Sequence, residues 1–393
     1  MSVAAYRLRN ILKSQKTVAI SAAKTPRPLT CSIPIPIKVL INEPNLEELA
    51  ININQNAAKS AKFRGRHNIY DFSISRLAVA KRYNLIESII DKHKHFEEIS
   101  REGYALRLVT LYGKAGMFDH ARKLFDELPE LGCERTVKSL NVLLKAGVEC
   151  KRFDEVFDVF RKVPAELSIN CDVVSYNTFI HALCDTGRVD EGLLMIDEMN
   201  EKGLSPSVVT FNTLLRAFYR EKGFEEGEMI WGMMDEYDVV RDIGSYNVKL
   251  QGLVDKGELE KAVSLFESLE SEGLKRNVSS FNVFIKRYCD EGNVEEAKKY
   301  YNKLLESGVT PNEKTFPPLV PKLCGNGDLD LAFELCKKMF ERQFVVDEAL
   351  LQLVVNELVK GSKSEEAEEL VERGKSNRFV QYNLVMPSEN TEK

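Results

Sequence analysis

The chain has 393 residues, 44% of them hydrophobic and 29% charged, which is enough apolar material for a sizeable core; no apolar run approaches the length of a membrane span. Its net charge of −5 is unevenly placed: residues 1–42 hold seven basic residues (Arg7, Arg9, Lys13, Lys16, Lys24, Arg27, Lys38) and no Asp or Glu, and subtracting these from the 55 Lys and Arg leaves 48 against 60 acidic residues, a balance of −12. That balance argues against a protein relying on nonspecific attraction to phosphate, and the eight cysteines, with no Cys-x-x-Cys pair, read as small buried residues of a reducing compartment rather than as disulfides or a zinc site.

Residues 1–30 are acid-free and rich in Ala, Ser and Thr, with Tyr6, Ile11 and Leu12 among the basic residues. The apolar run is too short for a secretory core, and the composition is that of a mitochondrial or chloroplast transit peptide. A basic tail is the plainer alternative. Residues 31–66 read as a linker and N-terminal extension: Ile33-Pro34-Ile35-Pro36-Ile37 cannot continue a helix, and residues 43–66 are polar and partly helical. Residues 67–377 form a helical-repeat array. A degenerate unit opens near His67, with Tyr70 as its large residue. Further units start at Glu102, Val137, Val173, Val208, Ile243, Val278 and Glu313, and a shortened, charged one runs from Glu348 to Asn377. In the unit at Glu313, Pro317, Pro318 and Pro321 fall where the first helix should run, so that helix is expected to be distorted or to begin late. Residues 378–393 read as a flexible tail.

The unit Val173–Ser207 shows the pattern best. Ser175 can cap a first helix whose apolar face is Tyr176, Phe179, Ile180 and Leu183. Gly187 permits a turn, Leu193, Ile196 and Met199 stripe a second helix, and Gly203 and Pro206 end the unit. Tyr176-Asn177 then returns as Phe211-Asn212, Tyr246-Asn247 and Phe281-Asn282, each 35 residues after the last. Small residues recur early in the second helices (Ala121, Gly192, Gly227, Ala262, Ala297, Ala332, Ala367), and large ones follow (Phe125, Phe160, Ile196, Trp231, Phe266, Tyr301). Both rows read as core packing, and Cys184, Cys289 and Cys324 occupy related places in first helices. One helical hairpin cannot bury its own apolar faces, so a constant period near 35 means stacked units. The fold class is all-α, a right-handed superhelical solenoid of about eight to nine helix-turn-helix repeats.

Val-Val-Ser-Tyr-Asn-Thr-Phe-Ile (173–180), Gly-Arg-Val-Asp-Glu-Gly (187–192) and Glu-Met-Asn-Glu-Lys-Gly-Leu-Ser-Pro (198–206) closely resemble the pentatricopeptide repeat. The 35-residue period separates it from the 34-residue tetratricopeptide repeat, and the resemblance spans about residues 67–377. It implies a plant organelle protein that associates with RNA, reading one base per repeat. The basic leader and Ser75–Arg82 look like short mitochondrial members, some of which belong to the small subunit of the mitochondrial ribosome. In this family, base choice lies with the fifth and last residues of a repeat. The resemblance therefore implies the pairs Asn141 with Asp172, Asn177 with Ser207, Asn212 with Asp242, Asn247 with Asn277, and Asn282 with Asn312. It also implies base-packing roles for Val174 and Val209 and a preference near U-C-U-pyrimidine-pyrimidine. An Asn side chain is both donor and acceptor and can meet a base edge. The bland alternative is that these residues cap helices or fill turns. It suits Asp172, Ser207 and Asp242 better than five Asn in register inside helices.

Departures from the family pattern are plain. Lys138, Gly244 and Ser279 stand where Val is usual. Lys114 and Arg220 fit a phosphate-binding place near the end of the first helix, but Glu149, Asp185, Asp255 and Asp290 put carboxylates there. No motif supports catalysis or a cofactor. Gly325-Asn326-Gly327 lacks the third Gly of a dinucleotide fingerprint, and Gly361-Ser362-Lys363 lacks the upstream Gly of a phosphate loop. His93 and His95 face different sides of a helix, so no metal site is expected. The deaminase-like extension of some relatives would need a Cys-x-x-Cys, which is absent. Glu365, Glu366, Glu368 and Glu369 read as a solvated helix face.

Three functional readings follow. The first is a non-enzymatic, RNA-associated protein of the mitochondrial matrix, a component of the small ribosomal subunit that contacts ribosomal RNA and neighbouring proteins. The second is a free factor recognising single-stranded RNA in processing, stability or translation, with the chloroplast as an alternative location. The third is a protein-only scaffold. None involves a membrane or a small-molecule substrate.

Overall fold

The computed structural model describes residues 35–377 and 379–387; the leader at residues 1–30, the first half of the Ile-Pro segment and the last residues of the tail lie outside these. The described residues form helices and connecting turns, without strands.

Nine helical hairpins follow one another. Their first helices are α4 (His67–Val79), α6 (Glu102–Lys114), α8 (Val137–Glu149), α10 (Val173–Asp185), α12 (Val208–Glu221), α14 (Ile243–Lys256), α16 (Val278–Asp290), α18 (Phe316–Asn326) and α20 (Glu348–Lys360). Their second helices are α5 (Tyr83–Lys94), α7 (Phe118–Glu127), α9 (Phe153–Leu167), α11 (Val189–Glu201), α13 (Phe224–Glu236), α15 (Leu259–Ser268), α17 (Val294–Glu306), α19 (Leu329–Glu341) and α21 (Ser364–Lys375). Each first helix packs on its own second helix and on the first helix of the next unit. The result is a two-layered solenoid in which the first helices form one continuous face.

The repeated rows explain the packing. Ala121, Ala262, Ala297, Ala332 and Ala367 are fully buried, as are Phe125 and Phe266 in the large row. Gly227 is required by close approach: a Cβ there would stand 2.0 Å from the Tyr219 ring. Trp231 is the exception, only partly buried, with the Arg241 guanidinium 4.5 Å and the Lys249 ammonium 4.3 Å from its ring centre. Gly187 and Gly203 take φ of +77° and +69°, which end the helices as the sequence implies. Cys184, Cys289 and Cys324 are buried free thiols, and burial pushes their pKa values up to about 12, 11 and 11.

Three expectations need correction. Ser175 is not the cap of α10. The helix begins at Val173, Asp172 is its N-cap, and Ser175 answers from the third helical position: Asp172 Oδ1 accepts the Ser175 N–H at 2.9 Å, and Ser175 Oγ accepts the Asp172 N–H at 3.2 Å. The stretch 35–66 is not a free linker. Helices α1 (Ile37–Ile41), α2 (Leu46–Lys59) and α3 (Ala61–Arg64) bury Leu40, Leu49, Ile53, Ala57 and Phe63 against the first hairpin. Asn56 pins the entry by a two-way bond with the Ile35 backbone, 3.0 Å each way. Residues 379–387 are not loose either: Tyr382 and Leu384 are buried, and the Val346 N–H donates to the Tyr382 hydroxyl at 3.1 Å. The proline-bearing helix follows one of the two courses expected of it. It begins late, at Phe316, with Pro in its first turn, where the missing N–H costs nothing.

Candidate nucleic-acid interface

The five sequence-derived pairs are brought together, and each is a direct hydrogen bond between neighbouring repeats. Asn141 Nδ2 donates to Asp172 Oδ1 at 3.0 Å, Asn177 Nδ2 to Ser207 Oγ at 3.4 Å, and Asn212 Nδ2 to Asp242 Oδ1 at 3.0 Å. Asn247 Nδ2 donates to Asn277 Oδ1 and Asn282 Nδ2 to Asn312 Oδ1, both at 3.0 Å. The acceptors Asp172, Ser207, Asp242 and Asn277 are at the same time the N-caps of α10, α12, α14 and α16, each in a capping box with the Ser or Thr three residues on. Capping and pairing are therefore one arrangement: the cap fixes the acceptor, and the preceding repeat's Asn reaches across to it.

The rungs differ in their second bond. Ser175 Oγ donates to Asn141 Oδ1 at 2.6 Å, Thr210 Oγ1 to Asn177 Oδ1 at 2.6 Å, and Thr315 Oγ1 to Asn282 Oδ1 at 2.9 Å. The corresponding oxygens of Asn212 and Asn247 are buried without a partner, and the Ser245 and Ser280 hydroxyls donate to their own caps alone. Each rung keeps a second amide N–H of its Asn. Asp172 and Asp242 add a second carboxylate oxygen, Ser207 a hydroxyl, and Asn277 and Asn312 amide N–H groups. Burial opposes ionisation of Asp172 and Asp242, but the Asn141 or Asn212 amide and the Ser175 or Ser245 N–H and hydroxyl outweigh it and hold both carboxyls below their usual pKa.

Beside the rungs stand Val174 and Val209, each 55% exposed, large apolar side chains left uncovered on the first-helix face. Lys138 and Ser279 are exposed at the equivalent places. Near the end of the first helices, three of the four carboxylates at the phosphate-type position have a partner, and Asp290 is exposed without one among the described residues. Glu149 lies 3.8 Å from Lys145, Asp185 3.8 Å from His181, and Asp255 accepts from Gln251 at 2.7 Å. The expected phosphate cations are committed as well: Lys114 pairs with Asp71 at 2.7 Å, and Arg220 donates to Glu221 and to the Cys184 carbonyl at 2.6 and 2.9 Å. On one stretch of the first-helix face three cations, Arg216, Lys286 and Lys314, have side chains without a partner among the described residues. They surround a groove of about 510 Å³ across α12, α14 and α16, into which Asn247 and Asn282 face.

Comparison with known sequences agrees with this geometry. The PPR repeat family model matches residues 172–220, 241–290 and 276–324, and a PPR repeat model matches 107–133 and 209–239. The chain carries pentatricopeptide repeats. Two relatives from Arabidopsis thaliana, small ribosomal subunit proteins mS78 and mS79, are 41% and 42% identical to it over 189 and 184 residues. Each match covers 47% of this chain, and 48% and 46% of those proteins. A mitochondrial pentatricopeptide repeat-containing protein of the same plant is 36% identical over 135 residues, covering 34% of this chain and 32% of that one. The chain thus matches about half the length of the curated relatives, or less.

In this pentatricopeptide repeat chain, sequence reasoning found the rungs and missed the groove cations. A signal was present. Lys145, His181, Arg216, Gln251 and Lys286 stand at one register, four residues after each rung Asn, and all carry nitrogen. That row was legible from the period alone. Which of its members are free depended on whether the residue four later is a carboxylate within reach, and that required the structure.

Proposed function

We propose that this chain is a non-enzymatic, RNA-associated protein of plant mitochondria, acting in the matrix as a component of the small ribosomal subunit. One observation carries the RNA part of the reading: five Asn rungs in register, flanked by exposed Val174 and Val209, beside three cations without protein partners. Amide edges meet bases, valines pack on base faces and free cations meet phosphate. Asn141–Asp172 and Asn212–Asp242 each offer an N–H beside a carboxylate oxygen, which complements the O4 acceptor and N3–H donor of uracil. The likeness to two small ribosomal subunit proteins supports the ribosomal part. With three free cations the phosphate term is small, so the ribosome's other components supply the remaining affinity and its proteins are the natural neighbours for the acidic surface.

The test is sedimentation of the tagged protein from mitochondrial lysate in magnesium, with and without RNase, at moderate salt. Salt-resistant co-migration with the small subunit, lost on RNase treatment, is the expected result. A slow-sedimenting pool would overturn the ribosomal assignment. If that pool bound a pyrimidine-rich oligonucleotide, it would establish the second reading, a free RNA factor, which the unbroken run of five rungs favours.

A further inference from the structure

The N-terminal end of the array holds a basic cavity that the rungs do not account for. It has a volume of about 370 Å³ and lies between the α3–α4 turn and the start of α6, with Arg64, Glu98, Arg101, Gly103 and Arg107 in its lining. Arg107 is the unusual member. It is 9% exposed, and its Nε and Nη2 have no hydrogen-bond partner among the described residues. Its guanidinium carbon sits 4.7 Å from the Tyr104 ring centre and 5.1 Å from that of Tyr70. Aromatic faces stabilise a cation but accept no strong hydrogen bond, so Nε and Nη2 are left unanswered. The single carboxylate of the lining is already used: Glu98 Oε1 accepts from Arg64 Nε and Nη2 at 3.0 and 2.7 Å.

Two unmet needs therefore share one cavity. Arg107, with exposed Arg101 beside it, lacks an anion; Glu98 Oε2, buried and unpartnered, lacks a donor. At the mouth, α6 opens with Arg101 as N-cap and no side chain on its first amides, and no heavy atom stands within 4 Å of a Cβ built on Gly103. The opening turn of a helix favours an anion at such a point. Burial, then Arg107 and Arg64, push the pKa of neighbouring His93 down to about 3, so its ring is neutral and adds no charge. A phosphate alone would answer Arg107 and leave Glu98. A group that carries an oxyanion and a hydroxyl close together answers both, and the ribose phosphate of RNA is such a group.

We propose that this cavity binds one ribose phosphate unit of RNA, its phosphate oxygens against Arg107, Arg101 and the α6 amides and a ribose hydroxyl against Glu98. The inference rests on the reading that the protein meets RNA, but the site is separate from the Asn rungs and can be tested apart from them. The probe is uridine 5′-monophosphate against its 2′-deoxy analogue, followed by the melting temperature of the full chain at constant ionic strength. The expected result is a concentration-dependent rise with the ribonucleotide, a smaller one with the deoxynucleotide, and loss of both in Arg101→Ala and Arg107→Met. Arg101 is exposed, so Arg101→Ala remains informative if Arg107→Met does not fold. Lys162→Ala, at an exposed cation of α9 outside both the cavity and the rungs, leaves the rise intact, which excludes a nonspecific charge effect. No rise in the wild type, or a rise undiminished in Arg101→Ala, overturns the site; equal rises with the two nucleotides overturn the role of Glu98. Binding of an oligonucleotide without any response to the mononucleotide would leave the RNA reading standing and sink only this inference.

Discussion

Each rung residue does structural work whether or not RNA is present. Asn282 donates to Asn312 and accepts from Thr315, so Asn282→Ala removes both bonds and leaves the Thr315 hydroxyl only its 3.2 Å bond to Asn312. A loss of about 1 kcal/mol per such hydrogen bond is expected in chemical denaturation. Asn212→Ala should cost less stability, because its Oδ1 makes no bond to lose. For RNA the order need not follow: both substitutions remove the amide N–H proposed to meet a base, and oligonucleotide titration should show both weakened. A variant that loses stability but keeps full affinity would confine that Asn to the capping role.

The carboxyls at the caps give the array a pH dependence of definite sign. Asp172 and Asp242 have folded-state pKa values below the ordinary 3.8 of the unfolded chain. Their contribution is complete above 3.8 and is lost as pH falls through the lowered values. Asp172→Asn and Asp242→Asn should therefore flatten the acid limb of a stability–pH curve and leave its neutral region level. A change of slope near pH 7 instead would mean that another group governs. The sequence showed which residues sit at the rungs because register alone selects them. It could not show that Asp172 is both cap and pairing partner, because a cap and a reading residue have the same composition and differ only in what lies 3 Å away.

At the scale of single elements, what was legible followed the 35-residue period. The small row was recognisable, and its reason is now physical. Gly227 makes room for Tyr219, which also lies 3.0 Å from a Cβ built on Gly252. Gly227→Ala should cost about 1–3 kcal/mol through overpacking, seen as a lower denaturation midpoint, whereas alanine already occupies the same place at 262, 297 and 332. An unchanged midpoint would mean that Tyr219 swings away freely. What was illegible lay outside the period. Helix α2 is polar in composition, with Asn52, Asn54 and Asn56 in its middle, and its buried stripe Leu49, Ile53 and Ala57 has no counterpart 35 residues away. The segment 379–387 has no helical periodicity at all; it is held by Tyr382, Leu384 and hydrogen bonds between Gln352 and the Val385 backbone at 2.8 and 3.0 Å.

Across the whole molecule, the apolar core is in two bodies. One runs from Leu40 to Val248 and the other from Leu250 to Leu384, so the division falls within α14. Polar contacts bridge α13 to α12 and α14 at this point: Glu228 accepts from the Tyr219 hydroxyl and from Lys249 at 2.7 Å. In a solenoid each unit touches only its neighbours, and a weak interface lets the halves open separately. Hydrogen exchange should show two protection levels meeting near residue 249, and urea unfolding should show two transitions rather than one. A single transition coincident by every probe would mean that the polar bridge couples the halves fully. The groove cations Arg216, Lys286 and Lys314 straddle this seam, so RNA lying across it would tie the halves together and merge the transitions.

The most direct test of the account is to map photochemical crosslinks between the native protein and RNA in intact mitochondria, residue by residue. Crosslinks are expected in first-helix peptides carrying Asn247 and Asn282, the rungs that face the groove, and in those carrying Val174 and Val209, the valines exposed on the first-helix face. Crosslinks confined to second helices, or none while the protein still sediments with the small ribosomal subunit, would contradict it and leave the array a contact surface for proteins alone.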